Sequence, residues 1–222
     1  MQRSELDHLV VACAQLDDGV AWVESRLGVR PQPGGRHEAM GTHNALLRLG
    51  AGCYLEVIAI DPDGTQPARP RWFGLDEPAM RERLAQSPAL ITWAVRCDSL
   101  ASACARVPDL GEIIAMSRGD LHWQIAVPDN GTLPWSGVLP AAIQWKEGGE
   151  SADDPTSHPA ARLPDSGCEL VALDLMHPAA VLGSGGLLGM FRELRIVGPV
   201  NLRPGPVSLA ASIRTPAGVV TL

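Results

Sequence analysis

Two stretches of this chain lie over one another. "LDHLVVACAQL" and "LITWAVRCDSL" align so that Leu6 meets Leu90, Val11 meets Val95, Cys13 meets Cys97 and Leu16 meets Leu100. The same order of elements follows each stretch, and a duplicated order restricts the fold more than composition does. In the first copy "LDHLVVAC" reads as a half-buried strand. Asp17 or Asp18 caps a helix whose Val20, Val23 and Leu27 fall at helical spacing, and Gly28 ends it. "GGRHEAM", "HNALLRLG" and "CYLEVIAI" follow as strands, separated by turns at Gly41 and Gly50–Gly52. In the second copy Asp98 caps a helix carrying Leu100, Cys104 and Val107, stopped by Pro108. "GEIIAMS", "LHWQIAVP" and "AAIQWKE" complete it, with His122 opposite His43 and Gln144 opposite Glu56.

The predicted fold is α+β: paired β-α-β-β-β modules forming an open mixed-sheet barrel or cleft. The modules span 1–62 and 89–150, joined by a Pro/Gly-rich crossing over 63–88. A polar, proline-rich segment at 151–167 reads as a flexible loop. Residues 168–222 read as a third, partial β-α-β-β-β unit with Ala172 where the first copy has His8, and all parts pack as one compact domain.

Composition narrows the function classes. Hydrophobic residues make up 45% of 222, enough for a sizeable core. The net charge of −7 and scattered basic residues argue against nucleic acid or an anionic membrane as partner. No apolar run is long enough to span a bilayer, and Glu5 and Asp7 stand where a signal peptide needs basic residues. Five cysteines without framework spacing suit reduced thiols, so the expected location is cytoplasmic.

Two titratable residues break these apolar strands. His8 shares a strand face with Leu6, Val10 and Ala12; Glu56 shares one with Tyr54, Ile58 and Ile60. If the first and last strands of the module pair, both side chains converge in the cleft. A buried carboxylate needs a cation or several hydrogen bonds. A divalent metal satisfies both residues; the plainer alternatives are a Glu–His ion pair, or a core histidine with Glu56 reaching solvent. Trp93, Trp123, Trp135 and Trp145 crowd the second copy, either as core or as an aromatic wall for a planar or apolar ligand, for which Trp93, Trp123 and Trp145 are the candidates. Arg48, Arg69 and Arg71 are candidates to hold a carboxylate, Arg48 first among them. The run "GSGGLLG" lacks the lysine and spacing of a phosphate loop.

The paired modules, "LDHLVVA", "GTHNALLRLG" followed by "CYLEVIA", "RWFGLD" and "LPAAIQW" resemble the glyoxalase-like branch of the vicinal oxygen chelate superfamily (glyoxalase, bleomycin resistance and extradiol dioxygenase proteins). The resemblance covers roughly Leu6 to Trp145. It implies metal ligands on the first and last strands of each module: His8 and Glu56 in the first, Thr92 and Gln144 in the second. Thr92 is a poor ligand, whereas Gln144 offers a carbonyl oxygen. It further implies a divalent metal (Zn, Fe, Mn, Ni or Co), with Glu56 or a metal-bound hydroxide as the candidate catalytic base. The implied partner is a small oxygenated metabolite undergoing lyase, isomerase or dioxygenase-type chemistry. The alternative it leaves open is a metal-free protein that sequesters a small molecule. The third unit either covers an exposed sheet or joins two chains in a homodimer.

Overall fold

The computed structural model describes residues 3–146, 158–181 and 186–222. Residues 151–157 of the expected loop at 151–167 and part of the glycine run, Gly183 to Gly185, lie outside the described residues.

The first module is β1 (Ser4–Ala12), α1 (Leu16–Leu27), β2 (Gln32–His37), β3 (Thr42–Arg48) and β4 (Tyr54–Ile60). Helix α1 buries Val20, Val23 and Leu27, and it ends at Gly28, whose φ of 71° is the left-handed conformation glycine adopts without strain. Neither aspartate caps it through a hydrogen bond. Gln15 is the N-cap, and Asp17 and Asp18 sit in the first turn, where carboxylates favour the helix dipole. The crossing contains α2 (Pro78–Gln86), a helix begun by proline.

The second module is β5 (Ala89–Cys97), α3 (Leu100–Arg106), β6 (Glu112–Arg118), β7 (Leu121–Val127) and β8 (Ala141–Trp145). Ser99, not Asp98, caps α3, its hydroxyl accepting from the Ser102 N–H. Both modules share one sheet in the order β2-β3-β4-β1-β5-β8-β7-β6. Within each module the first and last strands run parallel; between modules β1 and β5 run antiparallel. The sheet curls until its two edges approach, so that a Cβ on Gly35 of β2 would lie 2.8 Å from Arg118 Cδ of β6.

The sheet's outer face carries Leu9, Val11, Leu55, Val57, Trp93 and Val95, packed with Val20 and Val23 of α1 and Leu100 of α3. Its inner face carries Val10, Ala12, Ile58, Ile91, Trp123 and Ile143. Two irregularities interrupt the alternation. Pairing between β1 and β5 skips Asp7, and further along skips Ile91. The repeat alignment places these positions over each other, so each module carries a bulge at the same point of its first strand. A bulge lets two successive residues take one side. Leu6 therefore joins the outer core, contrary to simple alternation, and Asp7 joins His8 on the inner side.

The C-terminal unit is preceded by the short helix α4 (Pro159–Arg162). It comprises β9 (Glu169–Met176), α5 (Leu187–Leu194), β10 (Ile196–Val197), β11 (Val200–Arg203), β12 (Ser208–Thr215) and β13 (Gly218–Thr221). The element order is that of a module, but the pairing differs: a separate sheet ordered β11-β9-β12-β13. Leu170, Leu173, Leu175, Ala211 and Ile213 press this sheet onto the outer core together with Leu187 and Leu194 of α5. Each fully buried leucine or isoleucine among them stabilises the fold by about 1.5–3 kcal/mol. Strand β10 pairs with Ser4 and Glu5 of β1, where pairing to β4 has not yet begun. The third unit thus covers the main sheet.

Candidate functional site

His8 and Glu56 meet on the inner face. Val10 is the register partner of Glu56, so His8 lies diagonally across from it, and His8 Nε2 stands 3.8 Å from Glu56 Oε2. His8 is 4% exposed and Glu56 6%. The imidazole stacks on Tyr54 with ring centres 4.6 Å apart. Behind it, His8 Nδ1 donates to Asp7 Oδ1 at 2.6 Å. The other Asp7 oxygen accepts from Trp145 Nε1 and His158 Nε2, each at 2.9 Å. Burial alone would raise the Asp7 carboxyl, but the hydrogen bonds from His158 and His8 outweigh it and hold the group well below the usual carboxylate range.

Tautomers follow from the partners. The Ala160 N–H donates to His158 Nδ1, so the proton facing Asp7 is on Nε2 and this ring is neutral. His8 presents Nδ1–H to Asp7, which leaves Nε2 of its neutral form as a lone pair facing the hollow.

A second chain of bonds leaves Glu56 on its other side. Asn44 Nδ2 donates to Glu56 Oε1 at 2.5 Å, and Arg118 Nη1 donates to Asn44 Oδ1 at 3.0 Å. His37 Nε2 lies 3.4 Å from both Asn44 Nδ2 and Arg118 Nη1, while its Nδ1 donates to Thr42 Oγ1. Two donors on one nitrogen require a neutral imidazole, and burial pushes the His37 pKa down to about 4. These groups border a narrow hollow whose remaining wall is Trp72, Phe73, Trp123, Ile125, Ile143 and Trp145. The indole N–H of Trp72 is buried without an acceptor among the described residues.

The structure brings together His8, Glu56, Trp123 and Trp145 of the residues singled out from sequence. The others are elsewhere. Gln144 lies on the outer side, its Oε1 accepting from the Leu100 N–H at the start of α3. The reason is register: Val10 pairs with Glu56 and its counterpart Ala94 pairs with Ala141, so Ala141 is the true equivalent of Glu56. Gln144 is three residues further on, an odd shift that turns a side chain to the opposite face. Trp93 packs in the outer core, its Nε1 donating to Val138 O. Arg48 Nε donates to Gly50 O at the end of β3, away from the hollow. Arg69 and Arg71 are likewise spent on backbone carbonyls and Asp76. His122 is exposed. The sequence reading missed Asp7, His37, Asn44, Arg118 and His158; only the polar pair "DH" within an apolar strand carried a signal for any of them.

The metal set implied by resemblance is short of donors. The second-module counterparts of His8 and Glu56 are Thr92, whose hydroxyl donates to Gly137 O, and Ala141. These two line a separate apolar pocket with Leu110, Val127, Trp72 and Phe73. No group of three or more His, Cys, Asp or Glu side chains is placed to hold an ion among the described residues. Two donors fall below the three or four that a firmly held transition metal takes from protein, so the donor set does not fit. Nor is there an activated thiol: all five cysteines are free, and burial pushes Cys13 up to about 12. No helix among the described residues is long and apolar enough to cross a membrane.

The profile of the glyoxalase-like domain matches residues 6–183. No curated protein matches the chain. Among solved structures, a hypothetical protein from Staphylococcus aureus superposes with a TM-score of 0.60 at 14% identity, covering 92% of this chain and 87% of that one. The methylmalonyl-CoA epimerase of Mycobacterium tuberculosis gives a TM-score of 0.39 at 19% identity, covering 63% and 85%. A hypothetical protein from Bacillus halodurans gives 0.42 at 14%, covering 68% and 99%.

Proposed function

The chain belongs to the glyoxalase-like domain family, and from that premise we propose that it is an enzyme moving a proton on a small oxygenated metabolite. The observation that carries this reading is the Asp7–His8 pair beside Glu56, facing a hollow. His8 Nε2 takes a proton from a carbon next to a carbonyl. The electron pair of the broken C–H bond spreads onto the carbonyl oxygen, and the proton returns to the same or a neighbouring carbon. Asp7 orients the ring and stabilises its protonated form. Glu56, fixed by Asn44, is the second candidate base. The unpaired Trp72 N–H is a candidate donor to the developing oxyanion. The resulting chemistry is of isomerase type.

The test is hydrogen–deuterium exchange at the α-carbon of small ketones, aldehydes and 2-oxo acids, followed by proton NMR in D₂O. Exchange above the solvent rate is expected, with a loss of about 100-fold or more in His8→Ala. Elemental analysis of protein purified without chelator accompanies it. Stoichiometric metal lost in His8→Ala would replace this reading with the metal-dependent one.

A second reading rests on the apolar wall of Trp123, Ile125, Ile143 and Trp145: a protein that sequesters a small ligand. Binding without exchange, unaltered in His8→Ala, would support it.

A further inference from the structure

Arg118 ends β6 and lines both the hollow and an open groove outside it, between β2 and the β6–β7 turn. Its Nη1 meets only neutral acceptors, Asn44 Oδ1 and His37 Nε2. Its Nε and Nη2 meet no acceptor, and no carboxylate is in ion-pair range, among the described residues. The cause is Asn44. A guanidinium only donates and a carboxylate only accepts, so the amide must turn its oxygen to Arg118 and its nitrogen to Glu56. It stands between two opposite charges that would otherwise collapse on each other. Gly34 makes room for it: a Cβ there would lie 2.1 Å from Asn44 Oδ1. Trp72 also lines this hollow, and its buried indole N–H has no acceptor among the described residues.

We infer that the hollow takes a small organic carboxylate. Its carboxylate pairs with the guanidinium of Arg118 and its carbons lie against Trp123 and Trp145. Asn44 keeps Arg118 free of Glu56 until the ligand arrives. The guanidinium fork suits a planar carboxylate. The single guanidinium pairs with one carboxylate, whereas a phosphate dianion would bring a second negative charge close to Glu56 with no cation of its own. The inference rests on the hollow being a small-molecule site, and it does not require proton transfer.

Calorimetric titration tests it with pyruvate, 2-oxobutyrate, lactate and benzoate, each beside its primary amide, and with inorganic phosphate. At least one carboxylate is expected to bind about tenfold or more tighter than its amide, the range of one charge-assisted hydrogen bond. Arg118→Gln is expected to erase that preference and Arg118→Lys to keep part of it. His8→Ala is expected to keep it whole, so a failure of the exchange experiment leaves this result standing. The inference is overturned if no carboxylate outbinds its amide, if folded Arg118→Gln retains the preference, or if phosphate binds as tightly. Should Arg118→Gln fail to fold, a preference unaltered in Arg118→Lys and shared equally by phosphate overturns it.

Discussion

Asp7 has no exposed surface and accepts from three donors, two imidazoles and an indole. Its charge is therefore paired on every side, and the geometry of His8 follows from it. In Asp7→Asn the amide offers an acceptor to one side only and turns its NH₂ toward an N–H on the other. A loss of about 1–3 kcal/mol in urea unfolding is expected. The His8 proton is expected to move from Nδ1 to Nε2, visible in imidazole ¹⁵N shifts, with exchange activity falling by about 100-fold or more. At this scale the sequence was half legible. Alternation was enough to bring His8 and Glu56 to one face, since both lie in strands whose other members are aliphatic. It could not show that Asp7 turns inward too, because that depends on a bulge set by pairing with β5.

Strand β2 shows how an element with few apolar residues serves the site. Its sequence, QPGGRH, offers almost nothing to a core, yet its glycines let Asn44 and Arg118 approach. Gly34→Ala is expected to push Asn44 off its two partners. Crowding of this kind costs about 1–3 kcal/mol in unfolding free energy, and the carboxylate preference of the hollow should weaken with it. Element order was legible because period-two and helical patterns are local, and the capping glycine of α1 reads directly. Gln144 was misplaced because β8 has five residues and its register is fixed by β5, far away in sequence. The crossing was read only as a Pro/Gly-rich connection, yet it forms α2 and supplies Trp72 and Phe73 to the wall.

Across the whole molecule, buried titratable groups tie stability to acidity. His37 is neutral in the fold with its pKa depressed to about 4 from 6.5. Between those values the unfolded chain binds more protons, so stability falls as pH drops through this window, by roughly 3 kcal/mol in all. Asp7, whose folded pKa is also lowered, contributes above its unfolded pKa near 4, and that contribution declines at lower pH. Urea unfolding from pH 7 to 4 is expected to show the His37 slope, and His37→Gln should flatten it. The modules, the C-terminal unit and their order could be read from the chain; His158 and Arg118 could not, since only the closed fold carries them to Asp7 and Asn44. Both modules bend their first strand at the same place, one holding Asp7 and His8 there, the other Ile91 and Thr92. A dimer of identical half-length chains would have to furnish two equal cavities. Joined in one polypeptide the halves are released from that equality, so one can hold ionisable groups while its twin remains an oily brace behind the wall of Trp72 and Phe73.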